Sequence, residues 1–268
     1  MHRDPHSHKG ENGKVAIIGG SKTMHGAPLL SALAAEHAGV DLVFVALPAL
    51  HQQIARMTSL NFQVHPFAGD EISKKDLRPL LELLATMDSA VIGPGLDRSQ
   101  ESQNIIRELI ASAPCAIVLD ASALQSWTLE AAQGKNAVLT PHMGELERLG
   151  VDPKNLAAIA KKYAVTIHCK GPTDRIAGSD GSLQEVSGGD AGLTVGGTGD
   201  ALAGLIAGLI AQKMDPMARR SRPSVPMDAC ITASRVIKRA AVILSEKKGF
   251  AFTARDVTEE IPMQLNAF

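Results

Sequence analysis

The segment Val195-Gly-Gly-Thr-Gly-Asp200 carries the strongest chemical signal in this chain. Gly196, Gly197, Thr198 and Gly199 have little or no side chain, and an apolar helix follows them directly. Bare backbone N–H groups at a helix start, aided by the helix dipole, hold a phosphate. Asp200 falls in the first turn of that helix. A carboxylate beside a phosphate site can take a proton from a substrate hydroxyl near the phosphoryl group, or hydrogen-bond to it. It can also do no more than complement the helix dipole. The segment alone leaves both readings open.

Further chemistry-bearing residues stand at the ends of short apolar runs: Gly19-Gly-Ser21, Gly93-Pro-Gly95, Asp120, Thr140-Pro-His142 with Glu145, and Lys170-Gly171. Gly and Pro end strands for purely local reasons. Five ends that gather glycine and charge together instead predict one cleft, because open parallel sheets bind ligands outside the carboxyl ends of their strands. His142 and Glu145, three apart, suit a metal pair or a helix start with Glu145 in its first turn. No other ligand cluster is evident, so no metal site is assigned; His2, His6 and His8 would bind metal only adventitiously. There is no G-x-x-x-x-G-K-[ST] and no G-x-G-x-x-G after the first strand, which argues against a P-loop protein and a Rossmann dehydrogenase.

The elements that must position these residues follow from the apolar pattern. Val15–Ile18, Leu42–Leu47, Ser89–Ile92, Ala116–Leu119, Ala137–Thr140 and Val165–Cys169 read as buried strands. Pro28–Ala38, Gln103–Ala111, Gly144–Leu149 and Pro153–Lys162 read as helices between them. This alternation predicts a mainly parallel sheet with helices on both faces, a three-layer α/β/α sandwich. Asp174–Ala177 and Leu183–Val186, joined by Gly178-Ser-Asp-Gly181, predict an antiparallel hairpin at the sheet edge. Two long helices follow, Asp200–Gln212 and Met227–Lys247, separated by a basic, proline-bearing loop over Met214–Met227 that reads as mobile.

A chain of 268 residues is long enough for a full core, and with no repeat or linker it reads as one domain over 1–268, with 1–12 a flexible tail. Aromatics are only 3%, so Ala, Val, Leu and Ile must fill the interior. The formal charge of −1 supplies no basic field for nucleic acid. The longest apolar run, Ala201–Ala211, falls well short of the roughly 20 residues that a membrane span needs. Cys115, Cys169 and Cys230 are widely spaced and odd in number, and the N-terminus lacks an apolar signal region. Both point to a reducing, cytoplasmic setting.

At this point the residues carry a resemblance. Gly196-Gly-Thr-Gly-Asp-Ala-Leu-Ala-Gly204 resembles the glycine–aspartate signature of ribokinase-like small-molecule kinases. Ser7-His-Lys-Gly10, Gly20-Ser21 and Gly26-Ala-Pro28 resemble the N-terminal pattern of the ADP- or ATP-dependent NAD(P)H-hydrate dehydratases. Gly93-Pro-Gly-Leu96, Asp120-Ala-Ser-Ala-Leu124, Thr140-Pro-His-Met-Gly-Glu145 and Lys170-Gly-Pro-Thr-Asp174 resemble that family's later motifs, in order. The resemblance covers about Ser7 to Gly208. His25 and Asp190 depart from it, since family members often carry Tyr and Asn there.

The resemblance implies a ribokinase-like fold and a hydro-lyase of metabolite repair. In that reaction NADHX or NADPHX loses water at the expense of ADP, as in most prokaryotic members, or of ATP, as in eukaryotic ones, with ADP the expected co-substrate here and Mg²⁺ accompanying the nucleotide. It assigns Asp200 as the catalytic base, Gly196, Gly197, Thr198 and Gly199 as the anion hole, and Lys170, Gly171, Pro172, Thr173 and Asp174, with Gly199, as nucleotide-binding. Ala27, Gly95, His142 and Asp200 would line the hydrate pocket. It further implies a homo-oligomer, plausibly a tetramer, and a separate epimerase chain in the same pathway, because many relatives carry a fused epimerase domain. The runner-up is a kinase of the same fold acting on a thiazole, hydroxymethylpyrimidine or sugar hydroxyl. A third reading is a non-catalytic nucleotide sensor, against which Asp200 argues, because a sensor needs no base.

Overall fold

A computed structural model describes residues 3–213 and 225–267. Its first half runs β1 (Lys14–Ile18), α1 (Gly26–His37), β2 (Leu42–Leu47), α2 (Gln52–Thr58), β3 (Phe62–Pro66), α3 (Lys74–Leu84), β4 (Ser89–Ile92) and α4 (Gln100–Ser112). Then follow β5 (Ala116–Leu119), α5 (Thr128–Ala131), β6 (Ala137–Leu139), α6 (Met143–Arg148), α7 (Leu156–Tyr163), β7 (Thr166–Cys169), β8 (Thr173–Ala177) and β9 (Leu183–Ser187). Three helices close the chain, α8 (Thr198–Ala211), α9 (Val225–Lys248) and α10 (Ala254–Leu265).

The strands form one sheet of order β3-β2-β1-β4-β5-β6-β7-β8-β9. Pairing is parallel from β3 through β7, and β8 and β9 add an antiparallel edge. The three-layer sandwich and the edge hairpin are as the sequence predicts. β4, β5, β6 and β7 are buried at every position, because helices cover both faces. Strand order reverses between β1 and β4, and this switch point opens the crevice where such sheets take ligands.

Two apolar clusters fill the layers. One packs α1, α8, α9 and α10 on one face, and the other packs α3 to α7 on the other. Helix α8 is buried all along Ala201–Ala211, which explains its run of Ala, Leu, Ile and Gly without a polar face. Gly204 lets α8 approach α1 closely, since a Cβ there would overlap the Ser31 carbonyl oxygen at 2.0 Å.

The sequence reading gives no element between Leu47 and Ser89, where α2, β3 and α3 stand. Strand β3 is a sheet edge and half exposed, so it lacks a continuous apolar run. Helix α3 carries Pro79 in its interior, though its Ser73–Asp76 capping box is a readable start signal. The expected loop over Met214–Met227 lies largely outside the described residues; Val225, Pro226 and Met227 open α9. Residues 3–12, expected as a free tail, are anchored on Asp41, which accepts the Gly10 and Asn12 N–H groups and pairs with Arg3. Among the described residues no helix is long and apolar enough to cross a membrane.

Candidate active site

The five strand ends singled out by sequence belong to β1, β4, β5, β6 and β7, which are consecutive neighbours in the sheet. They are locked to one another. Gly20 N–H donates to the Pro94 carbonyl (2.8 Å), and Lys170 N–H donates to that of Pro141 (2.8 Å). Gly93 is at φ +123°, and a Cβ there would stand 1.9 Å from the Asp120 carbonyl oxygen. Only glycine permits that approach of the β4 end to the β5 end. Ala121, directly after Asp120, holds φ +52° without being glycine, a strained conformation of the kind that gathers at functional sites.

Two carboxylates flank one ammonium on this rim, and the charge of Asp200 acts on it as well. Lys170 Nζ lies 2.8 Å from Asp120 Oδ1 and 3.8 Å from Glu145 Oε2. Thr140 Oγ1 donates to Asp120 Oδ1 (2.8 Å). Burial works against the Lys170 charge, but the Asp120 and Glu145 carboxylates hold its pKa above the ordinary value. Asp200, at the start of α8, has no hydrogen bond to its carboxylate among the described residues. Burial, then the Asp120 charge, and to a lesser degree Glu145, push it up to about 7, while Lys170 pulls the other way. A group with a pKa near neutrality, at the helix start beside a cavity and lacking a fixed partner, is suited to accept and release protons.

The backbone ahead of Asp200 has the anion-hole form. Gly197 caps α8 at φ +99°, and a Cβ there would press on Leu30 Cδ1 at 2.4 Å and the Ala254 Cβ at 3.0 Å. The first helical hydrogen bond is Ala201 N–H to the Gly197 carbonyl (3.0 Å). Among the described residues the N–H groups of Thr198, Gly199 and Asp200 have no acceptor, so these donors stand free at the positive end of the helix. The Thr198 hydroxyl is turned back to the Leu193 carbonyl (2.8 Å), which leaves its backbone as the anion-facing part.

A cavity of about 750 Å³ opens beside this turn. It brings together His142, Lys170, Gly171, Pro172, Asp174, Gly197, Thr198 and Gly199. Thr173, grouped with them by sequence, instead pairs across the hairpin with the Ser187 hydroxyl (3.0 Å). Ala27 and Gly95 form a second cluster at the β1–β4 switch point, where a Gly95 Cβ would sit 3.3 Å from the Ala27 Cβ. His142, expected beside Ala27 and Gly95, lines the larger cavity instead. Asp200 is the junction, because its carbonyl accepts the hydroxyl of Ser31, on the same helix as Ala27 (2.8 Å).

His142 and Glu145 form a capping box at the start of α6, as the helix-start reading has it. The Gly144 and Glu145 N–H groups donate to His142 Nδ1, and the His142 N–H donates to Glu145 Oε2. The described residues hold no group of three or more His, Cys, Asp or Glu placed to bind a metal.

Asp174 is buried and fully engaged. It accepts from Gly171 N–H (2.9 Å), His168 Nε2 (3.0 Å) and Ser234 Oγ (2.6 Å). Burial would raise its pKa, but the His168 and Ser234 hydrogen bonds more than reverse this and bring it to about 2. Its work is therefore to shape the Gly171 turn. Of the two departures, His25 packs its ring 5.2 Å from that of His51. Asp190 accepts from Gly192 N–H and Ser245 Oγ, which hold its carboxyl below the ordinary range. Its charge is thus committed to its own loop and to α9. Sequence reasoning missed Lys238 on α9, whose buried ammonium reaches the same loops.

The fold and this rim define a ribokinase-like α/β protein. The chain superposes at TM-score 0.82 on a ribokinase-like superfamily protein from Enterococcus faecalis V583, 23% identical, covering 100% of this chain and 91% of that one. It also superposes at TM-score 0.82 on the ADP/ATP-dependent NAD(P)H-hydrate dehydratase from Bacillus subtilis co-crystallised with ATP and Mg²⁺, 24% identical, covering 99% and 93%. The sequence profile of the NAD(P)H-hydrate dehydratases matches residues 15–263. Over 273 residues the chain is 34% identical to the ADP-dependent (S)-NAD(P)H-hydrate dehydratase of Cenarchaeum symbiosum (strain A), covering 98% of this chain and 91% of that protein. The chain belongs to the NAD(P)H-hydrate dehydratase family.

Proposed function

We propose that this chain dehydrates NADHX and NADPHX to NADH and NADPH, using ADP in preference to ATP as phosphoryl donor. The observation that carries this reading is Asp200, pushed up to about 7, beside the free N–H groups that open α8. Hydroxide is a poor leaving group, so the hydrate hydroxyl is first converted to a phosphate ester. The hydroxyl oxygen attacks the terminal phosphorus of the nucleotide, Asp200 takes its proton, and AMP departs when ADP is the donor. Phosphate then leaves with loss of a ring proton, which restores the dihydronicotinamide. The N–H groups at the α8 start stabilise charge on the transferring phosphoryl oxygens.

The Gly171–Pro172 turn and the cavity beside it take the nucleotide, and the Ala27–Gly95 crevice takes the hydrate. Asp174 and the Thr173–Ser187 pair shape the nucleotide loop from behind. The Asp120 and Glu145 carboxylates are engaged with Lys170, and the described residues hold no group of three or more His, Cys, Asp or Glu placed to bind a metal. Mg²⁺ therefore enters as part of the nucleotide complex, held by phosphate oxygens, and no step above is assigned to it. We further read the chain as a homo-oligomer, a tetramer; exposed Ile54 and Met57 on α2, with Leu50 before it and Leu60 after it, support a protein contact.

The direct test incubates the protein with NADHX and ADP, or ATP, and follows absorbance at 340 nm together with inorganic phosphate. Both signals are expected in equal amounts. A stable phosphorylated product with no chromophore would instead establish a kinase. One variant tests the anion hole separately. A Cβ at Gly199 would stand 3.1 Å from Lys170 Nζ. Gly199→Val is therefore expected to displace that ammonium, crowd the free N–H groups and weaken ADP binding about tenfold or more, roughly 1.4 kcal/mol, by calorimetry. Unchanged affinity would remove the anion hole from the nucleotide site.

A further inference from the structure

Both nucleotide-side loops are tied to one side chain from the far C-terminal part of the chain. Lys238 stands in the middle of α9 and is 6% exposed. Its ammonium donates to the carbonyls of Gly171 (3.0 Å), Pro172 (3.0 Å) and Gly188 (3.3 Å). Asp174 Oδ1 lies 3.5 Å away and balances its charge. Its stem packs under Gly189, where a Cβ would stand 3.2 Å from Lys238 Cγ. Gly171 and Pro172 belong to the turn between β7 and β8, whereas Gly188 follows β9. Both segments line the cavity and converge on this one ammonium.

We propose that Lys238 is a positioning residue for the nucleotide: its three carbonyl contacts hold the two walls of the cavity at the separation the nucleotide needs. The proposal rests on the reading of this cavity as the nucleotide site. An ammonium suits the task because it offers three donors and no acceptor, matching three carbonyl oxygens converging from two segments. A turn and a loop rich in glycine do not hold their own spacing. Gly188 and Gly189 are both at positive φ, +109° and +90°, so each is free to swing once the anchor is lost. Lys238 lines the α9 side of the cavity, with its ammonium occupied by these three carbonyls. Its removal should therefore disturb binding of one substrate and leave the chemical step alone.

Lys238→Met keeps the length and removes the donors. Lys238→Arg keeps charge and donors, but its planar fork fits three converging carbonyls less well. The wild-type protein is titrated first with ADP by calorimetry. If it binds no ADP, the nucleotide reading of the cavity fails, and Lys238 is not at issue. If it binds, Lys238→Met is expected to weaken ADP about tenfold or more, with Lys238→Arg in between. Steady-state assays of the same variants should show a raised KM for ADP, with kcat and the KM for the hydrate within about twofold of wild type. A merely structural lysine would lower the melting temperature without this split. Wild-type ADP affinity in a folded Lys238→Met, equal losses for both substrates, or failure of both variants to fold would each overturn the proposal.

Discussion

Asp200→Asn is expected to lose about 10²–10⁴-fold in kcat while binding ADP at least as tightly as wild type. The range is that of a general base, and it corresponds to about 3–5 kcal/mol of transition-state stabilisation. Asn keeps the shape but cannot take the hydroxyl proton. Removing a negative charge beside a phosphate favours the nucleotide, if anything. In the wild type, kcat/KM should fall as pH drops below about 7, because the base must be ionised and its pKa is pushed up to about 7. Asp200→Asn should lose that limb along with its rate.

The same residue carries a stability signature of opposite sign. The folded pKa lies above the ordinary 3.8, so the fold prefers the protonated carboxyl. Its contribution is full below about pH 4 and declines as pH rises to about 7, where the folded protein also ionises. Asp200→Asn is free of this decline. It should melt above wild type at pH 8, by about 1–3 kcal/mol after allowance for solvent screening, with the gap closing toward pH 4. If Asp200 only complements the helix dipole, the variant instead loses at most about 1 kcal/mol of stability and keeps its activity. Near-wild-type kcat would end the catalytic assignment, whatever the melting curves showed.

The parts of this molecule legible in its sequence are those where local chemistry and tertiary role coincide. Strands β1, β2, β4 and β5 are buried between helices, so each shows as an unbroken apolar run, and their ends show as Gly, Pro or Asp. The α8 start shows because an anion hole needs a helix N-terminus free of side chains. Asp120 shows in the sequence as a strand end and as the first residue of a family motif, with no partner attached. Its pairing with Lys170 joins residues 50 positions apart and follows from β5 and β7 flanking β6, which no local pattern reports. Lys238 was invisible for a similar reason. A lysine in a long helix ordinarily faces solvent, and only the docking of α9 against β7, β8 and the β9 loop buries it. Thr173 and Asp174 enter the nucleotide set through the family resemblance; the hairpin pairs Thr173 with Ser187, and Asp174 lines the cavity while bonded to Gly171, His168 and Ser234, contacts that no local pattern reports.

Lys170 offers the second large effect, and the one that separates the two roles open to it. As a nucleotide contact alone, its loss would raise the KM for ADP and little else. Its ion pairs with Asp120 and Glu145 and its influence on Asp200 make it the counter-charge of the whole cluster. Lys170→Met leaves Asp120 and Glu145 buried without a cation, which typically costs about 3–5 kcal/mol. That loss should show directly in the melting curves. Asp200, deprived of the one neighbour that lowers its pKa, should titrate above 7. The acid limb of kcat/KM then moves to higher pH, so turnover falls at pH 7 for either nucleotide and partly returns near pH 9. Measuring kcat/KM across pH 6–9 with each substrate varied in turn, and melting at pH 6 and 8, reads all of this on one preparation. A variant with a raised KM for ADP, an unmoved acid limb and wild-type melting at pH 8 would return Lys170 to nucleotide contact alone and leave Asp200 tuned by burial and its carboxylate neighbours.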